Sequence, residues 1–199
     1  MILTLLGLQA LQTGLVSEFF PTAPGTVRTY EEKKGTILIN TIGKPLDMGG
    51  VAVTPITESA GGGNGKTTYY RVENDQVSIV AYDVKKPLPI SMPVVRIGNG
   101  NGKVTWDFQG KTAVGSAGER LWARGEAHMA GVKTVLGQKV ETLNVYLRAA
   151  IGSGMSGYTI EQDTTYGKGL GIVEQKTTFI LGKKKTETNY KLVSIKSES

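Results

Sequence analysis

Apolar and polar residues alternate with a period of two along much of this chain. From Val104 to Phe108, valine, tryptophan and phenylalanine alternate with threonine and aspartate. In Val140–Ala150, the residues Leu143, Val145 and Leu147 share one face, and polar residues fill most of the other. Successive side chains of a β-strand point to opposite faces, so this period is typical of half-buried strands.

The same pattern predicts a succession of further short strands. Pro55 is expected to lie at a sheet edge or a strand end, because proline donates no hydrogen bond to a β-ladder. The proline-rich segment Pro87–Pro93 is expected to be extended. After residue 20 the pattern predicts no amphipathic helix longer than two turns. The further predicted strands are Thr26–Glu31, Thr36–Thr41, Val51–Ile56, Thr67–Val72, Val77–Val84, Arg120–Ala127, Val132–Leu136, Tyr158–Thr165, Ile172–Leu181 and Thr186–Ile195.

Glycine, with 27 residues among 199, supplies the turns between these strands. Glycine-rich loops are predicted at Ala60–Gly65 and Gly98–Gly102. Gly167, Gly169 and Gly171 occupy every second position, which indicates a corner before the last hairpin. We therefore predict an all-β fold with little helix. A single strongly curved antiparallel sheet would form a half-barrel or a flattened barrel, with one domain over residues 17–199.

Residues 1–16 resemble the apolar segment of an export signal. Met1–Leu8 is apolar, the first charged residue is Glu18, and the first basic one is Arg28. Signal peptides also have a basic start, which is missing here. The run is shorter than the roughly 20 apolar residues of a membrane span. We predict an exported protein, periplasmic or secreted, without a transmembrane span; the alternative is an ordinary core helix or strand.

The chain contains no cysteine, so disulfides, thiolate metal sites and lipid attachment to an N-terminal cysteine are excluded. The net charge is +6, and its densest basic cluster is Lys183–Lys185. A nucleic-acid surface needs a broad basic stripe, so this cluster is interpreted as a solvated hairpin tip. No nucleic-acid partner is predicted.

The residues that could carry chemistry do not form a convincing set. Ala60–Thr67 matches a relaxed phosphate-loop pattern, but the residues after it favour a strand where a nucleotide site needs a helix. His128 is the only histidine, which argues against zinc, copper and a Ser–His pair. Glu161 and Asp163 are interpreted as a solvated strand face. We predict no enzyme activity, no catalytic or metal-binding residues and no cofactor.

The large aromatic residues in the strand-rich second half have two interpretations. They pack an ordinary core, or some of them line a cavity that a curved sheet encloses around a ligand. The candidate lining residues are Trp106, Phe108, Trp122, Tyr146 and Tyr158.

Three short patches resemble the TapB-like proteins and their periplasmic relatives, bacterial proteins of unknown function. The patches are Phe20–Tyr30, with F-P and then G-x-x-R-x-Y, where Arg28 replaces the usual aromatic; Gly102–Phe108, with a G-x-x-x-W strand; and Tyr166–Val173, with Y-x-x-G-L-G-x-V. The resemblance implies export, a curved antiparallel sheet and no established catalytic residues. Such sheets resemble periplasmic lipoprotein carriers, which hold acyl chains in a half-barrel.

These observations predict a non-enzymatic exported bacterial protein. It would bind an apolar small molecule such as a lipid or acyl chain, or an envelope protein, on the concave face of the sheet. The alternative is a purely structural or assembly domain with a filled core and no ligand.

Overall fold

The computed structural model describes residues 16–61, 63–98, 102–111, 119–152 and 157–197, which hold one short helix and thirteen strands. The helix is α1 (Val16–Phe19). The strands are β1 (Thr26–Glu32), β2 (Ile37–Ile42), β3 (Leu46–Asp47), β4 (Ala52–Ala60), β5 (Lys66–Val72), β6 (Gln76–Ala81), β7 (Pro87–Arg96), β8 (Val104–Lys111), β9 (Arg120–Val135), β10 (Gln138–Ile151), β11 (Tyr158–Gly167), β12 (Gly171–Leu181) and β13 (Lys184–Ser197).

The strands form one antiparallel sheet that closes almost completely on itself. Its order is β7-β6-β5-β4-β2-β1-β13-β12-β11-β10-β9-β8, and β3 pairs with β4 beside this path. The two outermost strands, β7 and β8, face each other across an open seam. There the Trp106 Nε1–H donates to the Pro93 carbonyl at 3.2 Å. The predicted all-β fold with a strongly curved antiparallel sheet is confirmed.

Alternating strand directions give the barrel two different ends. The open end carries the turns that follow β1, β4, β6, β10 and β12, and the plug end carries those that follow β3, β5, β7, β9 and β11. Helix α1 lies at the plug end. The Val16 N–H donates to the Asn74 carbonyl at 2.9 Å, and the Gly169 N–H donates to the Glu18 carbonyl at 2.7 Å.

Inward-facing residues of the plug end form a filled core, here called the plug core. Val16 and Phe19 of α1 and the following Phe20 belong to it, and the Phe20 ring lies near Tyr70 of β5 and Tyr166 of β11. A second apolar cluster, which includes Ile79, Phe108 and Leu147, lies nearer the open end. The plug core contains Val16, Phe19, Phe20, Val77, Val95, Trp106, Ala127, Leu143, Val145 and Tyr166.

The two strands predicted at Arg120–Ala127 and Val132–Leu136 are in fact one continuous strand, β9. Its pairing with β10 shifts by one residue between Thr142 and Leu143. Gly131 sits at this bulge with φ +79°, a left-handed conformation that suits glycine. The chain therefore bends at the bulge without leaving the sheet. At β6 the strand is shorter than predicted and ends at Ala81.

The prediction that Pro55 lies at a sheet edge or a strand end is wrong. Pro55 lies within β4, between β5 and the strands β2 and β3. The β2 ladder stops at Ile56 and the β3 ladder begins at Val53, so Pro55 falls in the gap between them. Its carbonyl accepts the Gly43 N–H at 2.8 Å. The missing proline N–H therefore costs the sheet no ladder bond.

The glycine ladder forms the turn from β11 into β12 at the plug end. Gly167 ends β11, whereas Gly169 and Gly171 have φ of +77° and +83°. These left-handed conformations reverse the chain where residues with a Cβ would be strained. The predicted corner is therefore the turn between β11 and β12, directly before the last hairpin, which β12 and β13 form.

Candidate ligand-binding cavity

Between the plug core and the open end, the barrel encloses a cavity of about 380 Å³. This volume lies within the range of small-molecule sites. Most of its wall is aliphatic, and the main contributors are Ile79, Met92, Val94, Leu121, Leu147 and Ala149.

The wall is built by the period-two pattern of β10 and β11. Alternate residues of β10 face inward, and the register pairs Leu147 with Gln162, Ala149 with Ile160, and Ile151 with Tyr158. Directly paired residues share a sheet face, so both members of each pair line the cavity. A regular sequence pattern thus produces a continuous strip of wall.

Tyrosines and uncharged polar groups complete the lining. Tyr70 and Tyr82 face the cavity together with Thr68. Burial raises the pKa of Tyr70 well above its usual range, so this side chain stays neutral. The Gln162 Nε2–H donates to the Thr177 Oγ1 at 3.4 Å. Among the described residues that line the cavity, none is charged.

The plug core closes the inner end of the cavity. The Phe20 ring lies 5.3 Å from the Tyr70 ring and 6.3 Å from the Tyr166 ring, centroid to centroid. Tyr70 therefore separates the cavity from the plug core. A ligand must enter from the opposite end or through the seam.

The apolar surface continues outward at the open end. The register places Phe179 opposite Ile160 and Leu181 opposite Tyr158, on the same sheet face as the cavity wall. Phe179 is 37% exposed, Leu181 is 46% exposed, and Tyr82 is 44% exposed. The Tyr158 and Phe179 rings are 5.1 Å apart. We call Tyr82, Val84, Tyr158, Phe179 and Leu181 the apolar mouth.

The five aromatic residues proposed from the sequence lie in different places. Tyr158 lines the cavity. Trp106 is buried in the plug core, and Phe108 is buried in the second apolar cluster. Trp122 is half-buried on the outer face of β9, between the buried Leu121 and Ala123. Tyr146 is 39% exposed on the outer face of β10.

Most of the wall consists of residues outside the five aromatic residues predicted from the sequence. They are smaller aliphatic side chains, such as Ala149 and Ile160, at positions where a large aromatic would have filled the space. The sequence feature that could have indicated the cavity is the inward face of β10, which runs from Leu143 to Ile151. That face changes from filled core to cavity wall along its length.

Other candidate groups lie away from this cavity. His128 is exposed on β9. The Arg148 Nε lies 3.5 Å from the Glu161 Oε1 on the outer face of the sheet. Ala60–Gly65 connects β4 to β5, with a strand on each side. In the part of the chain that the structure describes, no three His, Asp or Glu side chains cluster as metal ligands.

None of the helical structure in the described ranges is long and apolar enough to cross a membrane.

No family model and no curated protein matches this chain. Its fold is similar to that of a provisionally named lipoprotein from Parabacteroides distasonis, with a TM-score of 0.52 and 12% sequence identity over 89% of this chain and 98% of that one. A provisionally named exported protein with a YmcC-like fold from Bacteroides fragilis gives a TM-score of 0.43 at 12% identity, with the same two coverages. The Parabacteroides protein shows that the fold of this chain occurs elsewhere.

Proposed function

We propose that this protein is an exported, non-enzymatic binding protein that holds an apolar molecule, such as a lipid acyl chain, in the barrel. The observation that carries the proposal is the uncharged apolar cavity of about 380 Å³, which the plug core closes at its inner end. An open-ended apolar cavity with a few convergent polar groups is the usual form of a site for an apolar ligand.

The lining defines the chemistry of the ligand. A cavity of about 380 Å³ suits a small apolar molecule or part of an acyl chain. A buried charge without a partner is costly, so the part of the ligand inside the cavity is uncharged. Tyr82 and Tyr158, near the exit, offer hydroxyl groups to a polar end of the ligand.

We propose no catalytic role, because the described residues of the cavity wall offer hydroxyl and amide groups but no acid–base pair. The resemblance to the TapB-like proteins stays a prediction from three short sequence patches.

Export is supported by the apolar run Met1–Leu8 and by the name of the Parabacteroides protein, since lipoproteins are exported. Val16 is fully buried and its N–H donates to the Asn74 carbonyl. We expect processing to occur before Val16, so that the plug core stays intact. Sequencing the N-terminus of the mature protein from its own cells tests this, and a mature chain that still begins at Met1 would contradict it.

Native mass spectrometry tests the ligand. Protein purified gently from its own cells is expected to retain an apolar molecule, seen as an added mass that organic solvent extracts. Ala149→Phe should abolish the added mass, because the new ring would fill the cavity beside Leu147. Ala150→Phe is the matched control, since Ala150 lies on the opposite face of the same strand.

Retention that is equal in both variants, or no retained molecule in the unaltered protein, would refute ligand binding. Circular dichroism of both variants shows whether a loss of mass reflects unfolding, and Ile160→Phe provides a second way to fill the same space. The filled plug core supports a second candidate, a structural or assembly domain without a ligand. The absence of any added mass, together with a stable complex with an envelope protein, would favour that candidate.

A further inference from the structure

Exposed lysines concentrate in the turns of the open end. Each of three separate connections contributes a pair of adjacent lysines, counting Lys184 at the start of β13, and none of these side chains lies within salt-bridge distance of a carboxylate among the described residues. The acidic residues beside these lysines in the described chain are Asp83 and Glu119 in the connections, and Glu31 and Glu32 at the end of β1. We call this set the lysine rim: Lys33, Lys34, Lys85, Lys86, Lys183 and Lys184.

Two exposed lysines at the plug end pair with carboxylates instead. The Lys168 Nζ lies 3.1 Å from the Glu18 Oε2 and 3.4 Å from the Glu141 Oε2. The Lys103 Nζ lies 2.7 Å from the Glu126 Oε2. The six lysines of the rim therefore present positive charge, unpaired among the described residues, at the end where the cavity opens.

The lysine rim and the apolar mouth are interleaved along the chain. Tyr82 and Val84 share a turn with Lys85 and Lys86, and Leu181 is followed by Gly182 and the lysines of the next turn. Val84 is 46% exposed. Exposed aromatic and aliphatic side chains beside lysines are typical of surfaces that insert into the interface of an anionic bilayer.

We propose that the open end docks on an anionic phospholipid bilayer, with the lysine rim on the headgroups and the apolar mouth between them. The positive rim complements the negative bilayer surface, and the mouth gives apolar contacts that a soluble polyanion would leave in water. The inference rests on the proposed function in one respect: docking would align the cavity with the bilayer, so that an apolar ligand passes between them without crossing water.

Cosedimentation with lipid vesicles tests the docking. The protein should bind vesicles of equal parts phosphatidylcholine and phosphatidylglycerol, bind pure phosphatidylcholine vesicles weakly, and dissociate at high salt. Each lysine near an anionic surface contributes about a fivefold factor in partitioning. The variant Lys85→Gln/Lys86→Gln is therefore expected to lower the partition coefficient at least tenfold.

The matched control is Lys133→Gln/Lys139→Gln, which removes the same charge from exposed positions near the plug end. This variant should bind almost as well as the unaltered protein. Equal losses in the two variants would show that net charge alone drives binding and would overturn the proposal.

Two further outcomes are decisive. Val84→Ser/Leu181→Ser should weaken vesicle binding without changing binding to heparin, a soluble polyanion; an equal effect on both would assign the lysine rim to polyanions and refute bilayer docking. Vesicle binding by a protein that retains no apolar molecule would support docking and refute the carrier function. A retained ligand without vesicle binding would support the carrier function and refute docking.

Discussion

At the scale of single residues, the Trp106 ring is accommodated by a glycine on the neighbouring strand. The register pairs Trp106 with Gly125, and a Cβ added at Gly125 would meet ring atoms at distances no real contact allows. Both residues are buried on the inner face. Gly125→Ala is therefore expected to lower the free energy of unfolding by about 1–3 kcal/mol through overpacking, as measured by urea denaturation.

Gly102→Ala is the control for this substitution, because a Cβ at Gly102 would meet nothing within 4 Å. Its free energy of unfolding should stay within about 0.5 kcal/mol of the unaltered value. A Gly125→Ala protein as stable as this control would show that the tryptophan ring does not depend on the glycine.

Arg28 is an unusual residue in the buried face of β1. It is 6% exposed, its Nη2–H donates to the Pro21 carbonyl at 2.9 Å, and its buried Nε has no hydrogen-bond partner among the described residues. Burial lowers the pKa of its guanidinium. The charge is thus held in the protein without a carboxylate, which is costly.

Arg28→Met is expected to leave the free energy of unfolding unchanged or to raise it by about 1–2 kcal/mol, because methionine fills similar space without a buried charge. Urea denaturation measures the change, and Arg124→Met, at an exposed position, gives the reference. A loss of more than about 1 kcal/mol would mean that the Pro21 hydrogen bond outweighs the cost of burying the charge.

At the scale of elements, period-two alternation located the strands but not the interruptions within them. It placed β8 and β10 because their inward faces are regularly apolar. It divided β9 between Ala127 and Val132, because sequence alone does not show that a left-handed glycine, Gly131, can sit at a bulge inside one strand. The alternation also did not indicate that Arg28 is buried in β1, because arginine normally occupies a solvated position.

The cavity was harder to predict than the fold for a related reason. The alternation identifies the inward face of β10, but the same face packs against α1 at Val145 and borders the cavity at Ala149. Which part stays unfilled depends on residues that meet across the barrel from distant parts of the chain. Large aromatics were chosen as lining, yet Trp106 fills space and thereby ends the cavity instead of forming its wall.

Helix α1 is a four-residue element whose importance lies in tertiary contacts. Phe20, directly after it, contacts the rings of Tyr70 and Tyr166. Phe20→Ala is expected to lower the free energy of unfolding by about 3 kcal/mol, the usual cost of such a core cavity. Thermal and urea unfolding measure it. Ser17→Ala, at an exposed position of the same helix, should have little effect, and equal stabilities of the two variants would show that the plug is dispensable.

At the scale of the whole molecule, the two ends of one barrel have different physical characters. The plug end is filled, and two of its lysines, Lys103 and Lys168, pair with nearby carboxylates. The open end combines an unfilled interior, exposed apolar residues and uncompensated lysines. The proposed binding role rests on this asymmetry, because a barrel that needed only to be stable would gain by filling both ends.

Buried tyrosines distributed around the barrel make global stability sensitive to alkaline pH. Burial raises the pKa of Tyr30 from 10.0 to about 12, which the nearby Arg28 partly offsets, and it raises the pKa values of Tyr70 and Tyr166 further. Below pH 10 these side chains are neutral in both states, so their contribution to stability is fully present. Between pH 10 and about pH 12 the unfolded chain loses these protons first, and stability is lost.

Each tyrosine then removes about 1.4 kcal/mol per pH unit from the free energy of unfolding, until the pH passes its folded-state pKa. Urea denaturation at a series of alkaline pH values measures the slope, and ultraviolet absorbance follows tyrosine ionisation. Tyr30→Phe should reduce the slope in this window, because one of the buried tyrosines that titrate there is gone. An unchanged slope would show that the Tyr30 phenol ionises in the folded protein as readily as in the unfolded chain, contrary to its burial.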